Sequence, residues 1–370
     1  MPTTAQKRSH RDCPKCRQSR RKQSLHVTYY GEAEVDYCLR CKGLWFEAGE
    51  LSSVQHDKAV DENCREFEAS LGRFTGVSAL HCPDCAEPLQ QHHLIDEYTA
   101  EVGCCHSCSG VWVEREQLEE VAHAPKLKQA LMAFQGETSW KTWLFQFVSQ
   151  FPVEFNVRAH ITPWVTYSLM VLNVLIFTLM SIAPSFLEWT LSSVALVPAE
   201  IGQGRDLQSL LGHQFLHGGW MHLIGNMYFL YVVGDNLEDA LGHLRFLLLY
   251  LLCGIFGALF HFASDVDSEI FLVGASGAIS GLFGMYLLWF KHARLTFMLL
   301  VFQFKLSPAI YFAIWLAINV LGIVSNSGGV AYWAHIGGFV AGLLMGQWLK
   351  PFVLKRNLVL QMLHSGNMKG

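Results

Sequence analysis

The sequence predicts an all-α polytopic membrane protein, a six-helix bundle preceded by two small four-cysteine modules. Three observations carry this reading. Hydrophobic residues make up 51% of the 370 residues and charged residues only 16%, with a mean hydropathy of +0.25. That is too apolar for an ordinary soluble protein and far from a disordered one. Of the 58 Asp, Glu, Lys and Arg residues, 15 lie between Trp164 and Lys350, so a polar N-terminal part precedes an apolar part. Ten of the eleven cysteines precede residue 110, and Cys253 is the only one in the apolar half. A net charge of −4 excludes a strongly basic nucleic-acid binder as the overall class.

The polar part is an internal duplication. Cys13-Pro-Lys-Cys16 and Cys38-Leu-Arg-Cys41 are followed by Lys42-Gly43-Leu44-Trp45-Phe46-Glu47. Cys82-Pro-Asp-Cys85 and Cys105-His-Ser-Cys108 are followed by Ser109-Gly110-Val111-Trp112-Val113-Glu114. Paired Cys-x-x-Cys knuckles about twenty residues apart form a closed tetrahedral four-thiolate site for zinc, structural rather than catalytic. Units this small need the metal to fold, so two zinc ions are expected, on Cys13, Cys16, Cys38 and Cys41 and on Cys82, Cys85, Cys105 and Cys108. Disulfides are the alternative, and they need an oxidising compartment. The Trp spacing selects Cys105 over its neighbour Cys104, leaving Cys64 and Cys104 as free thiols.

These units resemble zinc ribbons of the transcription-factor type over roughly residues 12–55 and 81–122. The basic run Lys7, Arg8, Arg11, Lys15, Arg17, Arg20, Arg21 and Lys22 could meet nucleic acid or anionic lipid, but a solvated basic face is preferred. The same run has no apolar core, so it is no cleavable signal peptide, and the first span is expected to act as the insertion signal. The expected organisation is ribbon one at 1–55, a helical spacer at 56–80, ribbon two at 81–122 and an amphipathic linker at 123–161. The membrane domain follows at 162–350, with a cytoplasmic tail at 351–370. In the linker, Trp140, Trp143, Leu144, Phe147, Val148 and Phe151 recur at three- and four-residue steps, as in a helix lying on a membrane surface; a soluble-core helix gives the same pattern.

Six apolar runs of spanning length follow: Trp164–Ala183, Met221–Leu241, Phe246–Ala263, Ile270–Phe290, Leu306–Val324 and Val330–Leu349. Leu295–Phe304 is apolar but too short, and is expected to dip into the interface. Lys and Arg set the orientation. Arg158, Arg245, Lys291, Arg294, Lys305, Lys350, Lys355 and Arg356 fall on one side, against Arg205 alone on the other, so both termini are expected in the cytoplasm.

Polar residues inside spans are functional candidates. His222 and Asn226 share a face in the first turns of the second span; Ser276 opens the fourth within Gly274-Ala-Ser-Gly277; His335 stands one turn into the sixth, at the head of Gly338, Gly342 and Gly346. On this topology all four converge near the outer surface. Small residues let helices four and six approach closely, bringing Ser276 to His335. An imidazole can take the serine proton and return it to a leaving amine. His222, Asn226 and the Ser276 backbone N–H could hold the oxyanion. With no intramembrane Asp to orient His335, the reading is a dyad. His213, His217, Asn173 and Glu238 are assigned to packing or to satisfying backbone groups.

From about Thr162 to Leu349 the chain resembles a rhomboid intramembrane serine protease. The carriers are Phe215-Leu-His217-Gly-Gly-Trp220-Met-His222-Leu-Ile-Gly-Asn226-Met, Gly234 with Glu238 and Gly242, Gly274-Ala-Ser276-Gly277, and Ala334-His335-Ile-Gly-Gly-Phe-Val-Ala-Gly342. The resemblance implies a six-helix rhomboid-like bundle with Ser276 as nucleophile and His335 as general base. His222 and Asn226 would be the oxyanion residues, with Gly274 in the loop that bears the nucleophile. It further implies single-span membrane proteins as substrates, cut near the outer face after a small residue, a gate made by the fifth helix and the loop 325–330, no catalytic cofactor, and a bacterial inner-membrane address. Two departures stand out. The stretch Gly204-Arg205-Asp206-Leu207 lacks the Trp-Arg pair of many members, and Ser280 stands where some members stack an aromatic ring on the catalytic imidazole. The competing reading is a catalytically silent relative that binds or escorts membrane proteins. The ribbons are assigned to regulation, substrate recruitment, self-association or a cytoplasmic partner.

Overall fold

The computed structural model describes residues 8–30, 33–48, 50–51, 71–96, 98–124, 140–149, 152–155, 161–299, 302–325 and 328–365. The chain divides into two compact units, one of Met1–Leu131 with Leu358–Gly370, the other of Met132–Asn357.

The first unit is built on one antiparallel sheet of eight strands: β1 Arg8–Asp12, β2 Ser24–Tyr30, β3 Ala33–Tyr37, β4 Leu44–Phe46, β5 Phe74–His81, β6 Pro88–Ile95, β7 Tyr98–Cys104 and β8 Val111–Val113. The all-α expectation therefore holds for neither unit in full, since the second also carries strands. The order β1-β2-β3-β4-β8-β7-β6-β5 runs out and back, one repeat per half. The halves join at β4 and β8, where Leu44 pairs Val113, Trp45 pairs Trp112 and Phe46 pairs Val111. Trp45 thus faces its own counterpart in the repeat, and Leu44 and Phe46 each face the counterpart of the other, which is the pattern of a pseudo-two-fold axis.

The Gly-x-Trp closing of each ribbon finds its reason here. A Cβ on Gly43 would fall on the indole of Trp112, and one on Gly110 would fall on the indole of Trp45. Each glycine makes room for the other ribbon's tryptophan. Both rings are buried, in a core that also holds Cys13, Cys16, Cys38, Cys82, Cys105, Leu25, Leu80 and Leu89. Ion pairs cross the same seam. Arg11 of β1 reaches Asp36 at 2.7 Å and Glu47 at 2.6 Å, and also Asp84 of the second ribbon at 2.6 Å. Lys15 reaches Glu114 at 2.6 Å. Burial opposes the Arg11 charge, but its bonds to Asp84, Asp36 and Glu47 outweigh that and hold the guanidinium above its ordinary range. Two members of the basic run thus tie the ribbons together.

Strand β5 begins at Phe74, inside the stretch read as a spacer, and residues 56–70 of that stretch lie outside the described residues, as does Cys64. The segment read as a tail is helical through Arg356, and its next helix, Leu358–His364, belongs to the first unit. Leu360, Met362 and Leu363 are buried there, and Ser365 Oγ donates to the Tyr98 hydroxyl at 3.4 Å.

The second unit holds α1 Trp164–Ile182, α2 Trp220–Leu241, α3 His243–Ser264, α4 Ser276–Trp289, α5 Pro308–Val324 and α6 Tyr332–Arg356. By length and composition α1, α3 and α6 are long and apolar enough to cross a membrane; α4 and α5 are apolar but shorter, at 14 and 17 residues. Helix α2 has 22 residues and carries Asp235, Glu238 and Asp239 near its end. Helix α4 starts at Ser276, six residues later than the apolar run suggests, because Leu272 pairs instead with Leu196.

Almost every residue of α4 is buried, so it forms the core. Its glycines explain how. A Cβ on Gly338 would overlap the Gly277 carbonyl, one on Gly342 that of Gly281, and one on Gly257 of α3 would lie 2.7 Å from the Ala334 carbonyl. Helices α3, α4 and α6 therefore meet backbone to backbone. Trp289 Nε1 locks the far end by donating to the Gly346 carbonyl at 3.0 Å. Glu238, fully buried, caps α1 from α2 by accepting from the amides of Val165 at 2.9 Å and Thr166 at 2.8 Å and from the Thr166 hydroxyl at 2.7 Å. These first-turn amides have no partner within their own helix.

The segment expected to dip into the interface is instead a hairpin, β10 Arg294–Leu299 and β11 Phe302–Leu306, with β9 Val153–Phe155 on its edge. The amphipathic linker contains a helix, Trp140–Ser149, whose arrangement is inverted relative to a soluble core. Gln146 is its buried residue and donates to the Thr296 carbonyl at 2.6 Å, while Trp140, Leu144, Phe147 and Val148 are exposed.

The shared core makes the ribbons one cooperative unit. Trp112→Ala should cost about 3–5 kcal/mol, and hydrogen exchange of the full chain should show protection lost in β1–β4 as well as in β5–β8. Loss confined to β5–β8 would mean two independent modules.

Candidate active site and metal centres

Ser276 is the first residue of α4, held by a loop that only glycine tolerates. Gly274 has φ +125°, and a Cβ there would lie 2.7 Å from His222 Nε2 and 3.7 Å from Ser276 Oγ. This brings the His222 imidazole and the serine hydroxyl to the same side of one glycine. The loop is fixed by the Gly274 amide, which donates to the His213 carbonyl at 2.9 Å. His222 sits in the first turn of α2, and His217 packs edge-on against it, with ring centroids 5.1 Å apart. Asn226 lies one turn further on the same face, is buried, and its Nδ2 has no hydrogen-bond partner among the described residues. A buried amide donor left free in this way is suited to an oxyanion.

His335 lies in the first turn of α6, directly after Ala334, whose carbonyl is at the close approach to Gly257 and Gly277. Ser276 directly precedes Gly277. The nucleophile and base candidates therefore flank a single backbone contact between α4 and α6. The Ser276 hydroxyl itself makes no hydrogen bond among the described residues. Catalytic hydrogen bonds are often long until substrate is bound.

Two contacts on His335 come from α5 and were not foreseen. Its Nδ1 is 2.7 Å from Asn319 Oδ1, and its ring lies 6.0 Å from that of Trp315. The signal for Asn319 was present, as an amide within an apolar span, but the fold was needed to pair it. Ser280 donates to the Ser276 carbonyl at 2.6 Å, and the rings of Trp315 and Tyr332 stand beside His335. His213 and Asn173 make local helix contacts, to the carbonyls of Ser209 at 2.9 Å and Leu169 at 2.7 Å. Arg205, of the loop lacking the Trp-Arg pair, pairs with Glu200.

In the first unit, the Sγ atoms of Cys13, Cys16, Cys38 and Cys41 lie within 4.8 Å of one another, as do those of Cys82, Cys85, Cys105 and Cys108. The nearest pairs are Cys13–Cys41 at 3.5 Å, Cys16–Cys38 at 3.8 Å and Cys82–Cys108 at 3.6 Å. Four sulfurs at about 2.3 Å from a tetrahedral zinc would stand about 3.8 Å apart, so both sets fit that ion. Backbone amides also point at the sulfurs, from Cys16 to Cys13 at 3.4 Å and from Cys85 to Cys82 at 3.3 Å, as a thiolate requires. Cys104 is buried on β7, outside the cluster.

Fold and site together define a helical membrane protein with a serine, two histidines and an asparagine gathered at the ends of its helices, attached to a paired four-cysteine sheet. Comparison with known proteins makes this specific. Residues 204–352 match the rhomboid domain and residues 12–55 a transcription factor zinc-finger. Residues 204–352 thus carry a rhomboid domain. The chain is 34% identical over 136 residues to RHOMBOID-like protein 5 of Arabidopsis thaliana, covering 36% of this chain and 40% of that protein. It is 32% identical over 152 residues to the mitochondrial Rhomboid protein 1 of Saccharomyces cerevisiae, covering 40% and 43%. It is 35% identical over 138 residues to Rhomboid-like protease 5 of Toxoplasma gondii, covering 36% and 15%. The chain therefore spans less than half the length of these relatives.

Forcing a side chain onto Gly274 tests the loop. Gly274→Ala should cost about 1–3 kcal/mol from backbone strain alone, seen as a lower melting temperature in detergent, and should slow labelling of Ser276 by a fluorophosphonate probe.

Proposed function

We propose that the chain is an intramembrane serine endopeptidase that cuts single-span membrane proteins within or beside their membrane segment. The observation that carries this reading is that Ser276 meets His222 at Gly274 and, with His335, flanks the glycine contact of α4 with α6, while Asn226, one turn from His222, has an Nδ2 without a partner among the described residues. Ser276 Oγ attacks the scissile carbonyl as His335 takes its proton. The oxyanion accepts from Asn226 Nδ2, His222 and the Ser276 backbone N–H, which has no partner within its own helix because it opens α4. His335 then gives the proton to the leaving amine, and water hydrolyses the acyl-enzyme by the same path in reverse.

All six helices cross the bilayer on this reading, with α4 shielded from lipid by its neighbours. The distribution of basic residues supports termini in the cytoplasm and an active site toward the outer face of a bacterial inner membrane. The exposed apolar face of Trp140–Ser149 lies in the interface, as its buried Gln146 suggests. Two structural zinc ions hold the ribbons. With their Gly-x-Trp faces used on each other and Arg11 and Lys15 in ion pairs, the ribbons serve regulation, self-association or a protein partner rather than nucleic acid.

The decisive assay mixes the detergent-purified chain with a tagged single-span substrate. Wild type should yield a product and Ser276→Ala none, while Asn226→Ala should lower kcat about 10²–10³-fold with KM little changed. Equal product from wild type and Ser276→Ala would refute the nucleophile. No product from wild type together with no fluorophosphonate labelling of Ser276 would favour a silent binding or escort protein. Metal analysis of the reduced chain should find two zinc ions, falling to one or none in Cys16→Ser. Acid should release them, since protons compete for the thiolates. Less than one zinc in wild type would refute the metal assignment.

A further inference from the structure

His335 can act as a base only if Nε2, and not Nδ1, carries the lone pair that faces the serine. A neutral imidazole has one donor and one acceptor nitrogen, and which is which depends on the partner of the other. Here that partner is Asn319. Its side chain is 3% exposed, on α5, with Oδ1 2.7 Å from His335 Nδ1. An amide can be flipped without changing its shape, so the assignment needs an independent anchor. The anchor is the Asn319 Nδ2, which donates to the Trp315 carbonyl at 2.8 Å. A carbonyl can only accept, so the NH₂ end must face Trp315 and the oxygen must face the imidazole. That oxygen also only accepts, so the hydrogen must be on Nδ1.

We infer that Asn319 is a positioning residue that holds His335 in the Nδ1–H tautomer, so that the site is a Ser276–His335–Asn319 triad rather than a dyad. The inference deepens the protease reading and rests on it for its kinetic consequence. The same helix restrains the ring in a second way. Trp315, one turn before Asn319, lies 6.0 Å from the imidazole, and Tyr332 stands edge-on at 6.5 Å. One face of α5 thus sets both the tautomer and the tilt of the base. An amide suits this place better than a carboxylate, because a buried charge among apolar helices is costly while the imidazole is neutral. When Nε2 takes the serine proton, the amide oxygen still faces the cationic ring and stabilises it through its dipole.

The test uses the full chain in detergent with ¹⁵N-labelled histidine, comparing wild type, Asn319→Leu and Asn319→Asp, with His335→Gln to assign the signal. In wild type above neutral pH, His335 should show a protonated Nδ1 and an unprotonated Nε2; in Asn319→Leu the two tautomers should mix. Asn319→Leu should lower kcat about 10- to 100-fold with KM within about twofold. Asn319→Asp should recover most of that loss and move the acid limb of the kcat profile to higher pH, a change that a purely structural role would not produce. A hydrogen on Nε2 in wild type, or a Leu variant with unchanged tautomer, kcat and pH profile, would overturn the inference. The spectra need no turnover. Failure of wild type to cleave would count against the protease reading and leave the tautomer measurement to decide the role of Asn319.

Discussion

The close approach of α4 and α6 is the constraint on which the membrane half depends. Helix association in lipid gains little from hydrophobicity, so van der Waals contact between backbones must supply much of it. Gly277 and Gly281 on one helix meet Gly338 and Gly342 on the other, with no room for a side chain at either crossing. Ser276 and His335 sit next to the first of these contacts. The packing that makes α4 the core is thus also what brings the proposed nucleophile and base together. The same device extends to α3 through Gly257, so three helices share one seam.

Buried polar groups then decide how the remaining elements are placed. Glu238 caps α1 from a neighbouring helix, Gln146 ties its own helix to the hairpin, and Asn319 reaches from α5 to His335. An unsatisfied polar group in an apolar interior is costly, so each of these bonds specifies a position that apolar packing alone leaves loose. Asn226 is not held in this way. Its Nδ2, like several other buried polar atoms, has no partner among the described residues, and it lies where the proposed chemistry needs a donor.

The polar half solves a different problem. A ribbon of about forty residues buries too little surface to be stable by itself. Duplication offers a second copy, and the pairing of β4 with β8 turns two marginal modules into one sheet with one core. The tryptophan of each copy fills the space over the other's glycine, so the motif repeated in the sequence is an interface as well as a closing turn. The C-terminal helix adds three more buried side chains, Leu360, Met362 and Leu363, to the unit in which the chain begins.

Local chemistry was legible in the sequence. Two Cys-x-x-Cys pairs in each repeat announce a four-thiolate cluster, because such knuckles can close on a metal from spacing alone. Glycine at four-residue intervals behind His335 announces a close helix contact, because the helical period places those residues on one face. What lay beyond such periods was decided by tertiary structure. Asn319 and His335 are sixteen residues apart on different helices, and no spacing rule joins them. Trp315 stands beside the imidazole although Ser280 occupies the place where an aromatic would be sought. The sheet that fuses the ribbons depends on a pseudo-two-fold arrangement between distant strands, and the strand register at Leu295–Leu306 depends on a partner at Val153. Sequence determines which groups are present and which share a face; only packing decides which faces meet, because that choice minimises voids and unpaired polar atoms over the whole unit at once.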